Sequence, residues 1–242
     1  MEEIRIENLT KRYREVLAVD NLSLSVERGE LLSLLGVNGA GKSTTIKMLS
    51  CLTAPTSGDA TLGGKSILTD PAAVKAMIAH SPQSTAVAPM LTVKENLLLI
   101  CGAHGFDKNK SAARVKEMTE LFGLESVLQR RAGKLSGGWQ RRLSIAMALI
   151  SEPKILFLDE PTLGLDVIAR SELWDTVRAL KGKITVILTT HYMEEAEELS
   201  DRIAIMKDGR LLICDTADKI KETAGEESFE RAFIRIVKGD AK

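Results

Sequence analysis

Gly36-Val37-Asn38-Gly39-Ala40-Gly41-Lys42-Ser43 places three glycines ahead of an amine and a hydroxyl. Gly36, Gly39 and Gly41 let successive backbone N–H groups turn inward on an anion, and a helix N-terminus at the same point adds partial positive charge. Lys42 would reach the β- and γ-phosphates of a nucleoside triphosphate, and Ser43 would offer its hydroxyl to Mg²⁺. A second group stands further along the chain. Ile155-Leu156-Phe157-Leu158 runs into Asp159-Glu160, two carboxylates at the exit of an apolar stretch. Asp159 suits a Mg²⁺ site, directly or through water, and Glu160 suits a base that orients and polarises an attacking water. Leu135-Ser136-Gly137-Gly138 is a further glycine-rich entry to a helix. One set of phosphates needs only one such loop, so the second suggests a site completed on another copy of the chain.

These residues need elements that hold them. Leu31–Leu35 is an apolar run suited to a strand buried on both faces, and Ile46, Met48 and Leu49 follow the loop at helical spacing. Strand, glycine loop and helix is the context the motif requires. The first thirty residues alternate as strands with one solvated face (Ile4, Ile6, then Leu22, Leu24, Val26). Short strands are expected at 58–62 and 77–80, then helices over 92–104, 111–124 and 137–150 with no strand between them. Strands resume at 155–158, 184–188 and 203–206, with a helix over 167–180 and an Asp208-Gly209 hairpin turn. A last helix over 228–237 carries Phe229, Phe233, Ile236 and Val237 on one face. The predicted fold is α/β: a P-loop core with a mostly parallel central sheet, an N-terminal antiparallel β subdomain and an inserted helical subdomain. Residues 1–83 and 154–215 would form the discontinuous core, 84–153 the helical insertion and 216–242 a helical tail.

Composition narrows the class. Thirty-three basic residues balance thirty-three acidic ones, and aromatic residues are 4% of the chain, so neither a basic field nor a stacking platform for nucleic acid is expected. Cys51, Cys101 and Cys214 are far apart in sequence and read as thiols in a reducing compartment. The Met-Glu-Glu-Ile-Arg start has no apolar signal region, and the apolar runs fall short of the roughly 20 residues a membrane span needs. A soluble, cytoplasmic chain is expected, with any membrane role supplied by a partner.

With Gln83, Gly164-Leu165-Asp166 and His191 added, these motifs stand in the order and spacing of an ATP-binding cassette (ABC) ATPase. The chain resembles that family over essentially its whole length. The resemblance implies that ATP is held by Gly36, Asn38, Gly39, Ala40, Gly41, Lys42, Ser43 and Thr44, with Tyr13 stacked on adenine. It implies Mg²⁺ held by Ser43, Gln83 and Asp159, and catalysis by Glu160, His191 and Lys42. Ser136, Gly137 and Gly138 would face the nucleotide of a second subunit, a copy or a paralogous cassette, and Asp166 would cross between the subunits. Trp139 departs from the family pattern, which has a polar or smaller residue there. Pro161–Asp166, Thr190–Glu197 and the tail look most like the branch that exports drugs, lipids, polysaccharides or sodium through a separate permease. Such a subunit would sit at the inner face of the cell membrane. A cassette serving a soluble assembly or regulatory complex is the alternative. His80 and His104 match nothing in the family and are expected to be structural.

Overall fold

Alternating side chains in the first thirty residues build two long antiparallel strands, β1 (Glu2–Tyr13) and β2 (Val16–Glu27), with Ile4 paired to Val26 and Ile6 to Leu24 on the buried face. The computed structural model describes residues 2–239. The apolar run forms β3 (Leu31–Leu35), buried at every position, and the glycine loop leads into α1 (Lys42–Leu49). β4 (Ser57–Leu62) joins the free edge of β1, and β5 (Lys65–Ser66) closes this small sheet in the order β2-β1-β4-β5. Then come α2 (Pro71–Met77) and β6 (Ile78–Ser81), followed by the helical stretch α3 (Val93–Ala103), α4 (Lys108–Phe122) and α5 (Gly137–Leu149). β7 (Ile155–Asp159), α6 (Val167–Arg178) and β8 (Thr185–Thr190) follow, and both strands are buried throughout. α7 (Met193–Leu199), the hairpin β9 (Arg202–Lys207) and β10 (Arg210–Asp215), α8 (Ala217–Ala224) and α9 (Phe229–Lys238) end the described chain.

The second sheet has the order β10-β9-β3-β8-β7-β6, with β3 parallel to both β8 and β9 and β7 parallel to both β6 and β8. Only the β9–β10 hairpin is antiparallel in it. The parallel arrangement sends the exits of β3, β6, β7 and β8 to one end, where ligands bind in open α/β sheets. The helices are fixed locally. Thr92 and Glu95 form a reciprocal capping box on α3, Asp107 caps α4, and Gly123 ends α4 at a φ of 61°. Buried Asn96 donates to the carbonyls of Ala88, Leu91 and Thr92 and accepts from Ala88 N, tying down the segment before α3.

The apolar faces of α3, α4 and α5 share one cluster with Leu156, Leu158, Val186 and Leu188 of the parallel sheet. The helical stretch therefore packs onto one face of that sheet, while β1, β2, β4 and α1 pack on residues of the other face, such as Leu32, Phe157 and Ile187. α9 lays Phe229, Ala232 and Phe233 against Leu35, Ile203, Ile205 and Ile220, so the C-terminal helix covers the chain's own sheet.

Three short helices fall outside the sequence expectation. α2 buries only Val74, although Asp70-Pro71 is a helix-start signal. α7 reads as a charge run because only Met193, Ala196 and Leu199 interrupt its glutamates. α8 buries Ile220 and Ala224 between its Thr216 cap and Gly225.

Candidate active site

The loop between β3 and α1 needs its glycines for different reasons. Gly41 is left-handed at φ 101°, and a Cβ there would lie 2.5 Å from the Ala18 carbonyl oxygen. Gly36 has no such φ. A Cβ on it would lie 2.4 Å from the Met206 carbonyl oxygen and 2.9 Å from the Ala40 Cβ, so it serves close approach to β9. Gly36→Ala is expected to cost about 1–3 kcal/mol by overpacking, read as a lower midpoint in thermal unfolding.

A cavity of about 820 Å³ opens over this loop, lined by Asn38, Gly39, Ala40, Gly41, Lys42, Ser43 and Thr44 together with Val16, Gln83, Glu160 and His191. Val16 and His191, far apart in the sequence, thus meet at the strand exits. Lys42 is only 5% exposed and donates to the carbonyls of Gly36 (2.6 Å) and Val37 (3.2 Å). Burial lowers its pKa from the ordinary lysine value, against the raising pull of Glu160 and Asp159. Those carboxylates favour the charged ammonium against the cost of its burial.

Ser43 Oγ donates to Asp159 Oδ1 at 3.1 Å, and Thr189 Oγ1 donates to the same oxygen. One hydroxyl and one carboxylate fit Mg²⁺, which takes few protein ligands and completes its shell with water and substrate phosphates. Among the described residues no group of three or more His, Cys, Asp or Glu is placed to hold a metal ion.

Glu160 sits at φ 45°, in the left-handed region, and its N–H is held by both the Thr189 carbonyl (3.1 Å) and the Thr189 hydroxyl (3.0 Å). The neighbouring strand β8 thus fixes this backbone and with it where the Glu160 side chain starts. Gln83 Nε2 donates to Glu160 Oε2 at 3.3 Å. His191 Nδ1 lies 3.3 Å from Glu160 Oε1 but off the hydrogen-bonding direction, so Nδ1 is buried without a partner. The ring stacks on Tyr192 at 4.1 Å between centroids. The carboxylate thus has a polar neighbour on each side.

Ser136, Gly137 and Gly138 are not in this lining. Ser136 and Gly138 border a separate concavity with Trp139, Arg142, Asp166 and Ile168. Gly138 is required there, because a Cβ would meet the Ala169 Cβ at 2.9 Å. Asp166 caps α6, accepting from Ala169 N at 2.9 Å. Trp139 is covered by the Arg142 guanidinium at 5.0 Å, and Arg142 also pairs with Glu172. Val167 and Ile168 beside them are 74% and 73% exposed. Tyr13 lies outside the cavity lining, 43% exposed at the end of β1 beneath Lys11 Nζ, although its register partner Val16 lines the cavity. His80 is half-buried with Nε2 unpartnered, and burial lowers its pKa.

Two groups escaped the sequence reading. Arg141, on the buried face of α5, donates to backbone carbonyls at the exits of β6 and β7. Glu195, fully buried on α7, accepts from Trp174 Nε1 at 3.1 Å while its Oε2 has no hydrogen-bond partner. Burial raises its pKa above the ordinary glutamate value, outweighing Thr190, Thr162, Trp174 and Arg170. Between pH 4.5 and that raised value the folded chain holds a proton the unfolded chain has lost, so stability falls as pH rises through the window. Glu195→Gln removes this loss. Its melting midpoint relative to the parent is expected to climb from pH 5 to pH 8, as followed by calorimetry.

A family model described as ABC transporter matches residues 19–163. Doxorubicin resistance ATP-binding protein DrrA of Mycobacterium tuberculosis is 40% identical over 229 residues, covering 94% of this chain and 68% of that protein. Nod factor export ATP-binding protein I of Burkholderia lata is 42% identical over 209 residues, covering 86% and 68%. A dimeric post-hydrolysis ATP-binding cassette bound to ADP and Pi superposes with a TM-score of 0.78 at 27% identity, covering 88% of this chain and 98% of that one.

Proposed function

The chain belongs to the ABC transporter family and is an ATP hydrolase; on that premise we propose that it powers a separate membrane permease, working as a head-to-tail pair. The observation that carries the pairing is the split of the motifs. The phosphate loop and Glu160 share one cavity, while Ser136 and Gly138 border another, which favours a nucleotide held between two chains. Exposed Val167 and Ile168 beside the second concavity suit a surface buried against a second copy. A related cassette is dimeric with ADP and Pi bound, which supports a paired state.

In this reading the loop amides and Lys42 hold the phosphates and stabilise charge on the transferring group. Ser43 and Asp159 hold Mg²⁺, which supplies electrostatic stabilisation at the phosphate oxygens when bound. Gln83 contacts the base and the strand exit. Glu160 accepts the hydrogen bond of the attacking water and orients it in line with the γ-phosphate, and His191 faces the same oxygens. Closure of the pair excludes water and delivers Ser136 from the opposite subunit.

The permease is inferred from relatives named for drug resistance and Nod factor export. Among the described residues no helix is long and apolar enough to cross a membrane. A drug, lipid, polysaccharide or sodium is the cargo class, with the subunit at the cytoplasmic face of the cell membrane. The segment before and along α3 divides cleanly. Val93 and Leu97 belong to the core, whereas Met90 and Leu99 are 71% and 52% exposed and are available to a partner's cytoplasmic helix. Co-purification of tagged Glu160→Gln with ATP from detergent-solubilised host membranes tests this. A stoichiometric multi-span protein is expected; recovery with a soluble assembly, or alone, would overturn the transporter reading.

A further inference from the structure

Arg141 is the least expected charge in the molecule. It stands one helical turn into α5, the helix that begins at Gly137, and is 3% exposed. No carboxylate pairs with it directly. Its Nε donates to the Pro161 carbonyl at 2.8 Å and Nη2 to the Asp159 carbonyl at 2.8 Å. Nη1 donates to the Pro82 carbonyl and, at 3.4 Å, to the Gln83 carbonyl. Burial lowers its pKa to about 10, partly offset by the charges of Asp159 and Glu195, so it remains a cation at neutral pH. A desolvated guanidinium is retained only where its planar fork is satisfied, and here four carbonyls satisfy it.

Those carbonyls have one thing in common. Pro82 and Gln83 carry the glutamine that touches the base, and Asp159 and Pro161 flank Glu160 on both sides. Arg141 thus pins the two strand exits that set where Gln83 and Glu160 point. Its own backbone belongs to the helix whose first turn carries Gly137 and Gly138, next to Ser136. We propose that Arg141 is a positioning residue that makes the Ser136–Gly138 loop and the Gln83–Glu160 pair of one subunit move as a unit. Because that loop faces the other subunit's nucleotide, Arg141 couples the chemistry at one site to closure at the other. The cross-site part rests on the head-to-tail pair proposed above.

The cavity that binds ATP contains no atom of Arg141 among its lining residues, so binding and chemistry should separate. Arg141→Lys keeps the charge and loses the fork, and Arg141→Gln keeps a planar two-donor group without the charge. Steady-state hydrolysis by both variants, measured well below their melting midpoints, is expected to show kcat reduced about 10²-fold, while the Kd for ATP binding to the single subunit stays within about threefold of the parent. In the Glu160→Gln background, either variant should also raise the ATP concentration needed for dimerisation about tenfold. Parent-like kcat would overturn the positioning role, as would failure of both variants to fold, which would make Arg141 a residue of stability alone. Reduced kcat with an unchanged ATP requirement for dimerisation would keep local positioning and remove the cross-site coupling. If Glu160→Gln itself never dimerises with ATP, the paired-subunit reading fails while the kcat result still stands or falls by itself.

Discussion

Glu160→Gln is expected to bind ATP with parent-like affinity and to hydrolyse it roughly 10²–10⁴-fold more slowly, the range a positioned general base contributes. The side chain is isosteric and keeps a group facing Gln83 and His191, so the cavity and the left-handed backbone held by Thr189 are retained. What disappears is the acceptor basicity that draws a proton from the attacking water. Rapid-quench hydrolysis with bound-nucleotide stoichiometry separates the two. Multiple turnover at the parent rate would remove Glu160 from its role.

Lys42→Ala should fail at the earlier step. The ammonium is 5% exposed, held beside Glu160 and Asp159 and aimed by the carbonyls of Gly36 and Val37, so its charge is already desolvated before phosphate arrives. Charge-assisted hydrogen bonds are worth about 1.5–3 kcal/mol each, and the loss of more than one places ATP affinity about 10²-fold or more below the parent. Thermal unfolding gives the cleanest readout, because a ligand that binds only the folded state raises the midpoint. The parent's ATP-dependent rise should vanish in Lys42→Ala, with the ligand-free midpoint little changed. An equal rise in both proteins would show that Lys42 does not hold the nucleotide.

Much of this site was legible because its chemistry is concentrated in contiguous stretches. Residues 36–43 carry their own strand and helix signals, and Asp159-Glu160 follows an apolar run that can only be a buried strand. The parallel sheet then forces these stretches together. Arg141 was hidden for the opposite reason. Its partners are backbone carbonyls, which have no signature in sequence, and the only hint was a charge at the buried phase of α5, three and four residues before buried Ser144 and Ile145. Glu195 was masked by its neighbours, since Glu194, Glu197 and Glu198 make the segment look like a solvated run. The roles of the glycines also differ in kind. Gly36 serves contact with Met206 rather than a left-handed turn, and such contact depends on β9, more than 160 residues later in the chain. Short helices α2 and α8 carried cap signals but too few apolar positions to show a period.

In the proposed pair, each site is completed by the second subunit's Ser136 loop. The direct measurement is the molar mass of Glu160→Gln by light scattering, with and without saturating ATP, alone and combined with Ser136→Arg. Ser136 is exposed and lies outside the ATP cavity, so the added side chain leaves the fold and nucleotide binding in place. ATP is expected to double the mass of Glu160→Gln, and Ser136→Arg to keep the ATP-bound chain monomeric. A mass unchanged by ATP, or a dimer indifferent to Ser136→Arg, would contradict it.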